Sequence, residues 1–233
     1  MKVCLFSLPG IPAGKHNIKD ARLDQVDKIT KSKKKTYIQI ELVKDEGALD
    51  SDVLILLKKN QMDLILLDLD FTEKRLEKAV EPFERGMFLK FKDTLEKEEL
   101  LSSLSLSEEE KKITLGYGLV TLKPVVLVEE EELDDVSGVI FKAFQKSGFI
   151  SFFTTGEKET RAWLIKKGAT AYEASGQIHS DIQKGFIRAE IISFNDFVQY
   201  NGEVGAKQAG RMRLEQKDYI MQDCDLANFR FNK

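Results

Sequence analysis

The chain has 233 residues, 42% of them hydrophobic, with a formal net charge of −3. That is enough apolar material for one large domain or two small ones. The near-neutral balance excludes a polycation that holds nucleic acid by bulk charge, so no DNA partner is expected. No run approaches the roughly 18 apolar residues of a membrane helix, and the N-terminus lacks the long apolar region of a signal peptide. A cytoplasmic protein with no membrane partner is therefore expected.

Val3 to Phe6 reads as a buried strand that meets a turn at Pro9, Gly10, Pro12 and Gly14. Residues 20–31 place Leu23, Val26 and Ile29 on one helical face, with Asp20 set to cap the free first-turn amides. Lys31, Lys33, Lys34 and Lys35 form a basic loop. Tyr37 to Val43 reads as a second strand. The apolar runs 52–60 and 62–69 have no decisive period. Their leucine content favours helix. An amphipathic helical arm is expected over about 72–116, interrupted near Pro82, with a capping box at Ser107 and Glu110. Pro124 to Val128 is a strong strand. The acidic run Glu129–Glu132 closes it as a solvated loop, and a helix follows over 139–148. Beyond a boundary near 150, strands are expected at 161–165, 187–193, 219–221 and 228–231. Helices are expected at 170–183 and 194–200, which makes a small α+β unit. Cys4 and Cys224 could pair only if the fold brought them to disulfide distance. Two free thiols in a reducing compartment are expected.

Three segments carry a family resemblance: FFTTGEKETRAWLIKKGATA at 152–171, GQIHSDIQKGFIRAEIISFNDF at 176–197 and RLEQKDYIMQDCDLANFRFN at the end. They closely resemble the C-terminal domain of the YchF family of Obg-like P-loop ATPases and GTPases. Gln216 and Cys224 stand where that family usually has turn glycines. The segments at 22–43, 63–78, 106–113 and 119–128 are similar, in order, to parts of the family's nucleotide domain and helical insertion. The resemblance implies a remnant of a P-loop α/β nucleotide domain over 1–150, with the helical arm inserted. It implies a ubiquitin-like β-grasp (TGS) α+β domain over 151–233. A complete family member is considerably longer, so missing segments are expected.

The family's phosphate motifs are altered. A Walker A loop brings backbone amides to the phosphates through glycines, reaches them with Lys and binds magnesium through a hydroxyl. The matching stretch runs from Ser7 through Gly10 to Gly14, Lys15 and His16. Ser7 replaces the first glycine and His16 the hydroxyl, and imidazole suits magnesium poorly. The second phosphate motif reads Lys44-Asp45-Glu46-Gly47, with Lys44 in place of the metal-linked Asp. The switch segment with the family's catalytic histidine has no counterpart, and the base-reading Asn falls within Glu129–Glu132. Phosphoryl transfer depends on these parts. The expectation is a non-hydrolysing YchF-like binding module with no catalytic residue, no metal and no required cofactor. By resemblance its partner is the ribosome, RNA or a translation factor. The alternative is an ATP- or GTP-binding switch in which Gly10, Gly14, Lys15, His16 and Lys44 form a rebuilt loop.

Other residues have a bland reading beside a sharper one. Lys33, Lys34 and Lys35 are a solvated loop or a phosphate contact. Lys207, Arg211 and Arg213 approach one helical face as candidate RNA or partner contacts, since Gly156–Lys233 carries twelve Lys/Arg against eleven Asp/Glu. Trp163 is expected as a core anchor, with base stacking as the minor option. His179 is expected inside a helix. Asp68 and Asp70 are expected at a capped, solvated helix start.

Overall fold

The computed structural model describes residues 1–79 and 81–232. They form two compact units: Met1–His16 with Ile40–Ser147, and Asn17–Gln39 with Gly148–Lys233. Residues 17–39 thus lie across a single sequence cut at 150 and belong with the later part of the chain.

In chain order, β1 (Lys2–Leu5), β2 (Gly14–Asn17), α1 (Ala21–Thr30), β3 (Lys35–Thr36) and β4 (Gln39–Val43) come first. Then come β5 (Val53–Leu57), α2 (Gln61–Lys78), α3 (Pro82–Glu96), α4 (Glu108–Thr114), β6 (Val125–Val128) and α5 (Val136–Lys146). The first unit is built on a five-stranded sheet in the order β2-β4-β1-β5-β6. β1 runs parallel to both β4 and β5, and β5 parallel to β6. β5 corrects the helical expectation for 52–60. All five of its side chains are buried, and a short continuous apolar run fits a parallel strand covered on both faces. Leucine content misleads here because five residues close little more than one helical turn.

The run at 62–69 is helical as expected, inside α2. The arm is a helical hairpin, with Pro82 at the first position of α3, where its missing N–H is not needed. Phe88, Phe91, Met87 and Leu95 of α3 share an apolar cluster with Ile65 and Leu101. α4 starts with the expected capping box between Ser107 and Glu110. α5 rests on β5 and β6.

The second unit continues with β7 (Phe149–Thr154), β8 (Thr160–Lys166), α6 (Ala171–Ile178), α7 (Ser180–Lys184) and β9 (Phe186–Ile192). It ends with α8 (Phe194–Gln199), α9 (Glu203–Gln208), β10 (Arg213–Glu215) and β11 (Asp225–Phe231). Its sheet has the order β10-β9-β11-β7-β8-β3. β7 and β11 are a parallel pair; β8 lies antiparallel to β7 in a hairpin, and β9, antiparallel to both β11 and β10, flanks the other side. β3 adds a short parallel edge to β8. Asp20 caps α1, as expected, accepting from the Arg22 N–H at 2.9 Å.

Two local expectations change. The helix at 170–183 is broken at His179, whose extended backbone lets its Nδ1 accept from Asp181 N–H and start α7. Ile178 and Ile182 still both meet the core of Phe152, Ile165, Ala171 and Ile191. The segment 219–221 is not a strand; it makes one bridge, Thr170 to Ile220. Gly168 has φ +88, a backbone state that side chains resist. Gly185 is needed for another reason: a Cβ there would lie 2.1 Å from the Asn232 carbonyl oxygen. Cys224, which stands where the resembling family usually has glycine, adopts φ +63. Both cysteines are free and buried.

Candidate functional site

In the first unit, β1 delivers the chain into the loop that resembles a phosphate loop. The loop is tied by the protein's own side chains. The Lys44 ammonium donates to the carbonyls of Leu8 at 3.1 Å and Ile11 at 2.7 Å. Asp45 accepts from the Ser7 N–H at 2.7 Å, and Asn60 donates to the Ser7 carbonyl at 3.2 Å. Ser7 itself sits at φ +46. Gly47 keeps its glycine because a Cβ would lie 2.6 Å from Val43.

After this loop the chain enters a strand. Gly14, Lys15 and His16 all belong to β2. A phosphate cradle needs converging amides at a helix N-terminus, and these residues do not supply one. Lys15 is exposed. The His16 ring faces the Pro12 carbonyl at 3.3 Å, and Gly10 turns the loop at φ +86. Lys44, read as a phosphate contact, faces carbonyls instead. The residues present therefore do not fit a nucleotide with magnesium. Beneath the loop, burial together with Asp45 and Glu46 pushes the Cys4 thiol up to about 12, which keeps it protonated and unreactive.

The acids after β6 are also engaged within the unit. Glu130 pairs with Lys59 and Glu132 with Lys142, and Lys58 lies 3.5 Å from Glu129. Hydrogen bonds from Lys59 and Lys142 hold the Glu130 and Glu132 carboxyls below the ordinary range. Among the described residues, no group of three or more His, Cys, Asp or Glu side chains is gathered to hold a metal.

The second unit brings together residues that the sequence leaves far apart. Where β3 ends and the chain runs on to Ile38, a groove of about 440 Å³ opens beside β8. Lys34, Lys35 and Tyr37 line one side and Arg161 and Trp163 the other, with no acidic residue in the lining. The Arg161 guanidinium lies over the Trp163 ring, 4.0 Å from its centroid. Trp163 in turn stacks on buried Phe152 at 15° between planes, and its indole N–H donates to Thr154 Oγ1 at 2.9 Å. Trp163 is thus a half-buried flank of the core and not its centre. Arg161 Nε is buried with no hydrogen-bond partner among the described residues. Lys34 lies 3.3 Å from Glu159 and Lys35 2.6 Å from Asp24. Lys33 is exposed, and its N–H donates to the Glu157 carbonyl at 3.1 Å. Arg161 is not among the site residues expected from the sequence. The signal was its position two residues before Trp163 on a strand, which puts both side chains on one face.

Lys207, Arg211 and Arg213 do not share a helical face. α9 ends at Gln208, and Arg213 belongs to β10. Arg213 donates to Tyr219 at 3.0 Å and lies 3.3 Å from Glu215; Arg211 lies 3.8 Å from Asp196. Lys207 is exposed on α9.

The architecture is that of a mixed α/β protein matching the structure of the Schizosaccharomyces pombe YchF GTPase. The TM-score is 0.77 over 98% of this chain and 97% of that one, at 17% identity, so the fold is shared. Residues 149–232 match the family model YchF-GTPase_C, described as "Protein of unknown function (DUF933)". The protein named "Ribosome-binding ATPase YchF" in Pasteurella multocida is 34% identical over 73% of this chain and 64% of its own length. Its namesake in Bacillus subtilis is 30% identical with the same shares. The one in Buchnera aphidicola from Acyrthosiphon pisum is 31% identical over 84% of this chain and 68% of its own length. The chain belongs to the YchF family. In the first of these relatives it spans about 64% of the curated protein's length.

Proposed function

We propose that this chain is a YchF-like binding module that associates with the ribosome and does not hydrolyse nucleotide. The observation that carries the reading is the loop after β1. Three of its carbonyls are used by Lys44 and Asn60 and the Ser7 amide by Asp45, and Lys15 lies on a strand. Hydrolysis rests on preorganised groups around the phosphates, and losing one such group commonly slows a reaction about a hundredfold or more. The partner class is supported by the relatives' name, ribosome-binding ATPase. On this reading the first unit is a reduced nucleotide domain and α2 to α4 are its helical arm. The second unit is a β-grasp domain of TGS type, an assignment supported by its central parallel pair β7–β11 flanked by antiparallel β8 and β9.

Three measurements on the intact protein test the reading. Co-sedimentation with ribosomes at low salt is expected; a chain left wholly in the supernatant defeats the ribosome assignment. Phosphate release from ATP or GTP at the no-protein background is expected. Release above it that Lys15→Ala abolishes would overturn the non-hydrolysing assignment. ATP or GTP raising the melting temperature would favour the nucleotide-binding switch.

A further inference from the structure

We propose that the groove between the Lys34–Tyr37 segment and β8 is a single-stranded RNA site, with Arg161 as its central contact. The inference deepens the proposed ribosome association and rests on it for the choice of RNA. The groove's chemistry is that of an anion site. Three cations, Lys34, Lys35 and Arg161, line it and no carboxylate does. This is local clustering in a chain of net charge −3.

The three cations are not equivalent. Lys35 is tied to Asp24 at 2.6 Å, and Lys34 lies 3.3 Å from Glu159 with both side chains partly in solvent. Arg161 has its Nε unpaired, and its guanidinium rests over the Trp163 ring. A guanidinium already resting on a ring loses less freedom when its fork closes on a phosphate.

The arrangement also favours a strand with accessible bases. Phe152, Trp163 and Arg161 make a run of flat groups from the buried core into the groove. Arginine planes and aromatic rings are the surfaces on which splayed RNA bases stack. Tyr37 stands across the groove with Lys35 5.1 Å from its centroid. A volume near 440 Å³ falls within the range of pockets that take one small ligand, about 300–1,000 Å³. That admits a nucleotide-sized piece of a strand.

The test uses the intact chain and fluorescein-labelled octauridylate, read by anisotropy at low and moderate salt. Binding that weakens with salt is expected. Arg161→Ala should weaken it about tenfold or more, one good bidentate contact. Arg161→Lys should restore only part of the loss, because it keeps the charge and lacks the fork. Lys34→Gln should lower the salt slope by about one; this exposed change also serves if Arg161→Ala fails to fold by circular dichroism. No octauridylate binding by the unaltered chain, or equal binding by Arg161→Ala, overturns the proposal. So does displacement of the RNA by an octaglutamate peptide at matched concentration, which would make the groove an acidic-peptide site. Ribosome pelleting without octauridylate binding sinks the groove and leaves the proposed function standing. Octauridylate binding lost in Arg161→Ala supports the groove whether or not the chain pellets.

Discussion

Asp68 and Asp70 look alike in the sequence, two carboxylates on one apolar helix, yet they have opposite fates. Asp70 is exposed and pairs with Lys74 one turn on. Asp68 is 3% exposed in the middle of α2. It accepts from Val120 N–H at 3.1 Å, Thr121 N–H at 2.7 Å and the Thr121 hydroxyl at 2.5 Å. It therefore ties the helix to the segment leading into β6, and a solvated helix start is the wrong description. Nothing near Asp68 in sequence reveals this, because its partners lie more than fifty residues away. Replacing it with Ala leaves two buried amides and a hydroxyl without an acceptor. Each unsatisfied group is worth about 1–3 kcal/mol. Asp68→Ala should lower stability by about 3 kcal/mol or more in urea unfolding, with the m-value unchanged. A loss under half a kcal/mol would show that these amides find other acceptors. The same distance hides Arg161, whose groove partners Lys34 and Lys35 are more than a hundred residues earlier. Trp163 was legible as a structural aromatic, but its role as a bed for Arg161 was not.

At the scale of elements, capped helices and the apolar strands β1 and β6 beside their prolines are legible, whereas β5 and β7 are not. α1 follows from its spacing and Asp20, α4 from Ser107 and Glu110, and the first half of α2 from its leucine content. β5 reads as helix because burial on both faces erases the period that separates strand from helix. β7 has no strand period for the same reason: Ser151, Phe152 and Phe153 are all buried. The helical arm carries a polar lock that spacing does not announce. Glu84 of α3 accepts from the Tyr117 hydroxyl at 2.5 Å and from Arg75 of α2 at 2.9 Å. The Tyr117 hydrogen bond first, and Arg75 after it, hold the Glu84 carboxyl below its ordinary range. For a carboxylate with a depressed native pKa, the unfolded chain binds the proton more tightly. Its contribution is then complete above the ordinary Glu value of about 4.3 and is lost as pH falls through the depressed one. Urea midpoints measured between neutral pH and the acid side should fall less steeply for Glu84→Gln than for the unaltered chain. Identical acid slopes would remove Glu84 from the account.

At the scale of the whole chain, the two units are interleaved in sequence, which residue patterns alone did not reveal. The boundary at Ser147 to Gly148 lies near the expected one at 150, because the texture of the sequence changes there. The segment 17–39 shows no such change. Its membership depends on α1 lying against β8 and α8, and β3 extending the β8 edge. Arg22 reaches Asp223 at 2.5 Å, and Thr30 shares a 2.8 Å hydrogen bond with Thr160. The matched family model covers only 149–232, so a fragment cut to those limits omits a helix and an edge strand of its own unit. Leu23 and Val26 of α1 are fully buried. Burying such a side chain is worth about 1.5–3 kcal/mol, so the two together contribute about 3–6. Set against the 5–15 kcal/mol typical of a whole domain, that is a large share. The fragment 148–233 should therefore melt well below a version that carries 17–39 joined to its N-terminus by a flexible linker. A synthetic 17–39 peptide should bind the short fragment and raise its melting temperature, by the ordinary linkage between binding and folding. Peptides with Leu23→Ala and Val26→Ala should lose that effect. If the short fragment melts as high as the linked one and ignores the peptide, α1 and β3 are passengers on the unit. The stability of the C-terminal sheet would then reside wholly in the core around Phe152, Ile191 and Phe229.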